Sequence, residues 1–141
     1  GACVDHFQHW VYKNPEATPT DRKAKWLELE SVYLPDRDYD DIEFAKSGGI
    51  WQGQLNIYQM PFYYIDYTLA QTCAFQFWKK SEENREKAWE DYYRLCQAGG
   101  SLPFTKLVKL ARLNSPFNDG CLKSVVSKVT EWLDGVDVSA L

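Results

Sequence analysis

The densest run of chemically useful side chains is Met60-Pro61-Phe62-Tyr63-Tyr64-Ile65-Asp66-Tyr67. Tyr63 and Tyr67 are four residues apart, so on a helix they share one face, with Tyr64 beside them. A phenol donates a hydrogen bond without carrying charge at neutral pH. That suits holding a substrate carbonyl or stabilising a developing oxyanion. The same spacing also suits three amphipathic core residues with wet tips, and spacing alone favours packing. A second cluster, Cys3-x-x-His6-x-x-His9, holds both histidines of the chain. On a helix these positions fan over about 120°, a poor arrangement for converging on one ion. The histidines are expected to pack or hydrogen-bond at a helix interface, with adventitious metal capture by Cys3, His6 and His9 left open. No metal ligands are assigned in this chain.

Other catalytic arrangements are missing: no His-Glu-x-x-His, no Cys-x-x-Cys and no Gly-x-Ser-x-Gly elbow occurs. Gly48-Gly49 and Gly99-Gly100 each follow a helical stretch, so they read as C-caps and not as phosphate cradles. Glu28, Glu30, the acidic residues from Asp36 to Asp41, and Glu82, Glu83 and Glu86 read as solvated faces or caps. Cys73 falls on an apolar stripe and reads as core.

The elements that must carry these residues are set by the breakers. Ala2 to Lys13 is a helical stretch stopped by Asn14-Pro15. Thr18 reads as an N-cap, with Pro19 at the first helical position and Asp21 completing a capping box. The next helix carries Trp26, Leu29 and Tyr33 on one stripe and ends at Pro35. Asp36 to Asp40 is a polar loop, and Asp41 to Lys46 a short helix closed by Ser47-Gly48-Gly49. Ile50 to Gln59 allows another short helix, weakened by Gly53. A long helix is predicted from Pro61 to Lys80, with Phe62, Ile65, Leu69, Cys73 and Phe77 at helical spacing. Ser81 is expected to cap the next one, whose stripe is Ala88, Tyr92 and Leu95. Pro103 opens a helix through Leu113, and a last helix spans about Cys121 to Leu133. No stretch alternates long enough to require a strand. The expected fold is an all-α bundle of about seven to eight helices.

The whole chain is 141 residues, one domain's worth, read here as a single helical domain over 1–134 with a frayed tail at 135–141. Aromatic residues reach 16% of the chain, more than a small core needs, so some should line a groove or a covered interface. A net charge of −4 without a basic run argues against a nucleic-acid partner. No apolar stretch approaches the ~20 residues of a membrane span, and no signal-peptide pattern is present. The four cysteines, at 3, 73, 96 and 121, lie far apart, which favours reduced thiols and a cytoplasmic location.

Several segments together carry a resemblance. Val4-Asp5-His6-Phe7-Gln8-His9-Trp10, Trp51-Gln52-Gly53-Gln54, Pro61 to Gln71, Leu95 to Gly100 and Ser115-Pro116-Phe117 resemble the C-terminal part of oligoendopeptidase F-like enzymes. These belong to the thimet oligopeptidase family of zinc metallopeptidases. The likeness runs through nearly the whole chain in the family's order and is most specific from Tyr63 to Gln71. It implies a mostly helical peptidase with a channel for oligopeptides and a zinc held by a His-Glu-x-x-His helix and a downstream Glu. Those elements lie before the region matched here. The resemblance thus implies a C-terminal segment that binds no cofactor itself, is inactive alone, and works with an N-terminal zinc-binding portion.

By that likeness Tyr63, Tyr64 and Tyr67 are the catalytic candidates, binding the substrate carbonyl or the tetrahedral intermediate. The family's upstream histidine falls near Asn56, which makes Asn56 and Tyr58 the candidate substrate-binding residues. Asn donates one hydrogen bond but supplies no imidazolium. Self-association of the isolated chain is also expected, since an apolar surface left by missing neighbours seeks partners. The alternative to a peptidase part is a helical module that binds a peptide or protein in an aromatic groove without catalysis.

Overall fold

In the computed structural model, residues 1–137 are described; the part of the expected frayed tail from 138 to 141 lies outside them. Eight α-helices and no strand occur among the described residues. They are α1 (Ala2–Lys13), α2 (Pro19–Tyr33), α3 (Glu43–Lys46), α4 (Leu55–Gln59), α5 (Ile65–Glu83), α6 (Arg85–Ala98), α7 (Phe104–Leu110) and α8 (Cys121–Asp134). A 3₁₀ turn, Ile50–Gly53, precedes α4. None of these helices is long and apolar enough to cross a membrane. The chain gathers into two compact units, Gly1–Thr68 and Leu69–Leu141.

The first unit is built around Cys3, Val4, Phe7, Trp26, Leu29 and Trp51, all buried. Phe7 is wholly enclosed, its ring meeting Trp26 edge-on at 5.3 Å and Trp51 at 5.1 Å. Such aromatic contacts add about 0.5–1.5 kcal/mol each beyond the area they bury. At the start of α2 the expected capping box is present. The Thr18 backbone N–H donates to Asp21 Oδ2 at 2.9 Å, and the Asp21 N–H donates to Thr18 Oγ1 at 3.2 Å. Tyr33, expected on the buried stripe, is exposed, and Glu30 is buried instead. Its carboxylate accepts hydrogen bonds from Tyr39 and Arg37, folding the polar loop back on α2. Burial and the Glu30 hydrogen bond push the Tyr39 phenol up to about 12.

The short α3 ends in a Schellman arrangement: Gly49 N–H donates to Phe44 O and Gly48 N–H to Ala45 O. Gly48 takes φ +78°, and a Cβ there would sit 2.4 Å from the Lys23 backbone oxygen of α2. Replacing Gly48 with Ala therefore combines a left-handed backbone, about 1–2 kcal/mol for a non-glycine residue, with a clash against main chain. We expect Gly48→Ala to lower the urea midpoint of the full-length protein by at least that equivalent. A midpoint equal to wild type would show that α3 can move away from α2 at no cost.

In the second unit α5 buries Thr72 and Gln76, whereas the expected core positions Leu69, Cys73 and Phe77 are half-buried. Gln76 is inside because its amide pairs twice with one backbone position. Its Nε2 donates to Asn114 O at 3.0 Å, and Asn114 N–H donates to its Oε1 at 2.8 Å. Ser81, expected to cap α6, instead lies within α5 with its hydroxyl donating to Trp78 O. Asn84, in extended conformation, caps α6 by accepting from Lys87 N–H at 3.0 Å.

On α6 the carboxylate of Asp91 is wholly enclosed and meets Lys80 at 2.6 Å, Arg94 at 3.1 Å and Arg112 at 3.5 Å. The predicted helix through Leu113 stops at Leu110. Arg112 takes φ +53° and completes a Schellman motif, with Leu113 N–H on Val108 O and Arg112 N–H on Lys109 O. Glycine usually takes that position; here it is filled by an arginine whose Nη1 lies 3.5 Å from Asp91 Oδ1.

Candidate functional site

The tyrosine segment differs from its expected form at one point that decides its shape. The helix begins at Ile65 and not at Pro61, because Phe62 takes φ +62° and cannot belong to a right-handed helix. Tyr63 N–H closes back on Met60 O at 3.2 Å, with Pro61 second and Phe62 third in the turn. A positive φ at the third position is ordinarily a place for glycine. A bulky residue held there stores roughly 1–3 kcal/mol, which the surroundings must offset.

Helix α1 supplies those surroundings. Gln8, 1% exposed, accepts the Phe62 N–H through Oε1 at 3.3 Å. The Phe62 ring lies against His9 at 4.8 Å and Tyr12 at 5.0 Å. The start of α1 also abuts the first turn of α5, since a Cβ on Gly1 would come within 2.0 Å of Thr68 Oγ1 and 3.3 Å of Tyr64 O. Tyr64, half-buried, packs against the core that α1 lines.

Tyr63 and Tyr64 therefore precede α5, and only Tyr67 lies on it. The three rings meet all the same. Tyr67 makes edge contacts with Tyr63 at 5.5 Å and with Tyr64 at 5.4 Å between centroids. The Tyr63 and Tyr67 hydroxyls stand 3.5 Å apart, and both side chains are exposed. The hydrogen bond shared with Tyr63, then the charge Tyr63 can carry, raises the Tyr67 phenol above its ordinary value. Tyr67 thus stays protonated, and a donor, across the neutral range. Two phenols so spaced can both reach one oxygen at ordinary hydrogen-bond length.

Asn56 and Tyr58 lie on α4, where Tyr58 is exposed and stacks on Trp51 at 6.3 Å. A cavity of about 650 Å³ in the first unit lies elsewhere, lined by Trp10, Lys13 and residues of α2. Gln8 and Phe62, to which the residue pattern assigns no site role, frame the tyrosine turn. The sequence puts Pro61 at the start of the helix, and a phenylalanine at positive φ carries no local signal that would correct it.

Cys3, His6 and His9 do not converge. Cys3 is buried, His6 Nδ1 lies 3.2 Å from the Tyr33 hydroxyl, and His9 Nε2 lies 3.6 Å from Asp5. Among the described residues no group of three His, Cys, Asp or Glu side chains could hold a metal ion.

A solved structure carrying the provisional name oligoendopeptidase F is 58% identical, with a TM-score of 0.90 over 99% of this chain and 25% of its own. PZ peptidase A, solved with an inhibitor, is 57% identical, with a TM-score of 0.88 over 96% of this chain and 24% of its own. A provisionally named oligoendopeptidase F from Bacillus anthracis str. Ames is 47% identical, with a TM-score of 0.74 over 99% of this chain and 21% of its own. The chain thus spans about a quarter of the length of the solved proteins it matches. No curated protein sequence matches it significantly. The family model of peptidase family M3 matches residues 2–127, from the first turn of α1 into α8 and through the whole tyrosine turn, so the chain belongs to peptidase family M3.

Proposed function

We propose that this chain is the C-terminal part of a zinc-dependent oligopeptidase, where it forms one wall of the peptide cleft. The observation that carries the reading is the pair of exposed phenols, Tyr63 and Tyr67, with hydroxyls 3.5 Å apart. In this reading they donate to the scissile carbonyl and to the oxyanion that develops from it, with Tyr64 buttressing Tyr67 from the core side. Developing charge on that oxygen strengthens both hydrogen bonds in the transition state, which is where added binding accelerates a reaction. In this reading metal ligation falls to polypeptide outside this chain, consistent with the described residues holding no group of three His, Cys, Asp or Glu ligands. Asn56 and Tyr58 extend the substrate wall along α4. Turnover of an oligopeptide by the full-length protein, compared with its Tyr67→Phe variant, tests the assignment.

A non-catalytic binding module is the second reading. It draws on a cavity of about 500 Å³ in the second unit, lined by Phe77, Trp78, Trp89 and Tyr92. Peptide affinity that persists in a full-length protein with no detectable turnover would favour it. In either reading the protein works in the cytoplasm, the compartment in which four thiols stay reduced. The isolated chain is expected to self-associate, since Leu122, Val126 and Leu133 leave one side of α8 apolar and exposed. A monomer by light scattering at high concentration would count against that.

A further inference from the structure

We propose that Gln8 is a positioning residue for the phenol pair, setting through the Phe62 turn where Tyr63 and Tyr67 present their hydroxyls. The inference rests on the reading that those hydroxyls hold the substrate oxygen.

Gln8 belongs to α1 but reaches a backbone group 54 residues away in sequence, accepting the Phe62 N–H at 3.3 Å. Its neighbour Phe7 is wholly enclosed between Trp26 and Trp51, so α1 cannot slide to accommodate the turn. The glutamine is itself buried, and its Nε2 has no hydrogen-bond partner. A residue that only filled space would be apolar here, because an unpaired buried amide donor is costly. Among the described residues, the one hydrogen bond this amide makes is to the residue at φ +62°.

That bond matters because Phe62 leads directly into Tyr63. Tyr63 O accepts the Asp66 N–H at 3.0 Å in the first turn of α5, so the Tyr63 main chain is tied to the helix through its carbonyl. The direction of its side chain depends on the Phe62 dihedrals. Without the acceptor, Phe62 N–H must turn toward water, and the backbone relaxes to negative φ. Tyr63 then swings away from Tyr67, which stays on its helix.

The test uses the full-length peptidase with Gln8→Leu, which keeps the bulk and deletes the acceptor, and Gln8→Glu, which keeps an acceptor oxygen. Turnover of an oligopeptide is measured well below the melting temperature. The titration of Tyr67 is monitored by NMR with carbon-labelled tyrosine. Gln8→Leu is expected to lower kcat about 10–100-fold with little change in KM, as misplaced catalytic groups do. It is also expected to move the Tyr67 titration down toward that of free tyrosine, because the Tyr63 contact raises it. Gln8→Glu should recover most of kcat. Where Gln8→Leu does not fold, Gln8→Met, closer in length and at most a weak acceptor, is read in the same way. Wild-type kcat and an unmoved Tyr67 titration in the Leu or Met variant, beside a slow Tyr67→Phe, overturn the role of Gln8 and leave the proposed function standing. A Tyr67→Phe variant with normal turnover overturns the proposed function instead. The positioning of the phenols is then decided by the titration alone, a shift supporting it and its absence overturning it.

Discussion

On the proposed oxyanion role, Tyr67→Phe in the full-length protein is expected to reduce kcat/KM for an oligopeptide by about 10²–10³-fold, as losing one such donor costs about 2.7–4 kcal/mol. The ring stays, so its edge contacts with Tyr63 and Tyr64 are retained, and only the hydroxyl is deleted. The loss should fall on kcat more than on KM, since the hydrogen bond strengthens as negative charge develops on the substrate oxygen. Tyr63→Phe should act in the same direction, and the double variant should lose less than the sum, because both hydroxyls are assigned to the same oxygen. An unchanged kcat/KM in Tyr67→Phe would remove the phenol from the chemistry. Equal increases in KM with kcat preserved would demote it to uniform substrate binding.

The largest expected effect on stability is at Asp91. Its carboxylate is fully enclosed, and three cations converge on it. Lys80 Nζ also donates to Ala111 O at 3.3 Å and Arg112 O at 3.4 Å, the carbonyls at the end of α7. One carboxylate therefore holds α5, α6 and the segment after α7 together. Asp91→Asn keeps the shape, deletes the charge and leaves Lys80 without its counter-ion. Removing one partner of a fully buried pair costs ~3–5 kcal/mol; Lys80 remains 23% exposed, so we expect about 2–3 kcal/mol in urea unfolding.

The pH dependence has a definite sign. The Lys80 hydrogen bond holds the Asp91 carboxyl below its usual range, against the upward push of burial. Its folded value is thus depressed relative to the unfolded chain. The stabilisation is fully present above the ordinary carboxylate value of about 3.9 and is lost as pH falls through the folded value. Wild type and Asp91→Asn should converge in stability toward low pH. A gap that stayed constant through the acid range would show that the effect of the substitution is steric.

Most helix boundaries were legible in the residues because they are local. The Thr18-Pro19-Asp21 cap, the stop at Asn14-Pro15 and the Gly48 C-cap each involve groups within a few residues of one another, so short-range chemistry specifies them. The family likeness was legible for the same reason, through the tyrosine run itself. Which residues would be buried was less so. Gln76 and Asp91 are inside because their partners, Asn114 and a ring of three cations, come from other elements. Helical periodicity ranks positions by polarity and cannot see such partners, which is why it favoured Leu69, Cys73 and Phe77 over Gln76, and Tyr92 and Leu95 over Asp91.

What the amino-acid order determined by itself is a set of helices, their caps and three phenols close together along the chain. Tertiary structure decided how those phenols are presented. A positive φ at Phe62 or Arg112 is unfavourable in isolation, and each persists here beside a distant group, Gln8 Oε1 in one case and the Asp91 carboxylate in the other. A local pattern records the cost of such a backbone, but the compensating contact exists only once the chain has folded.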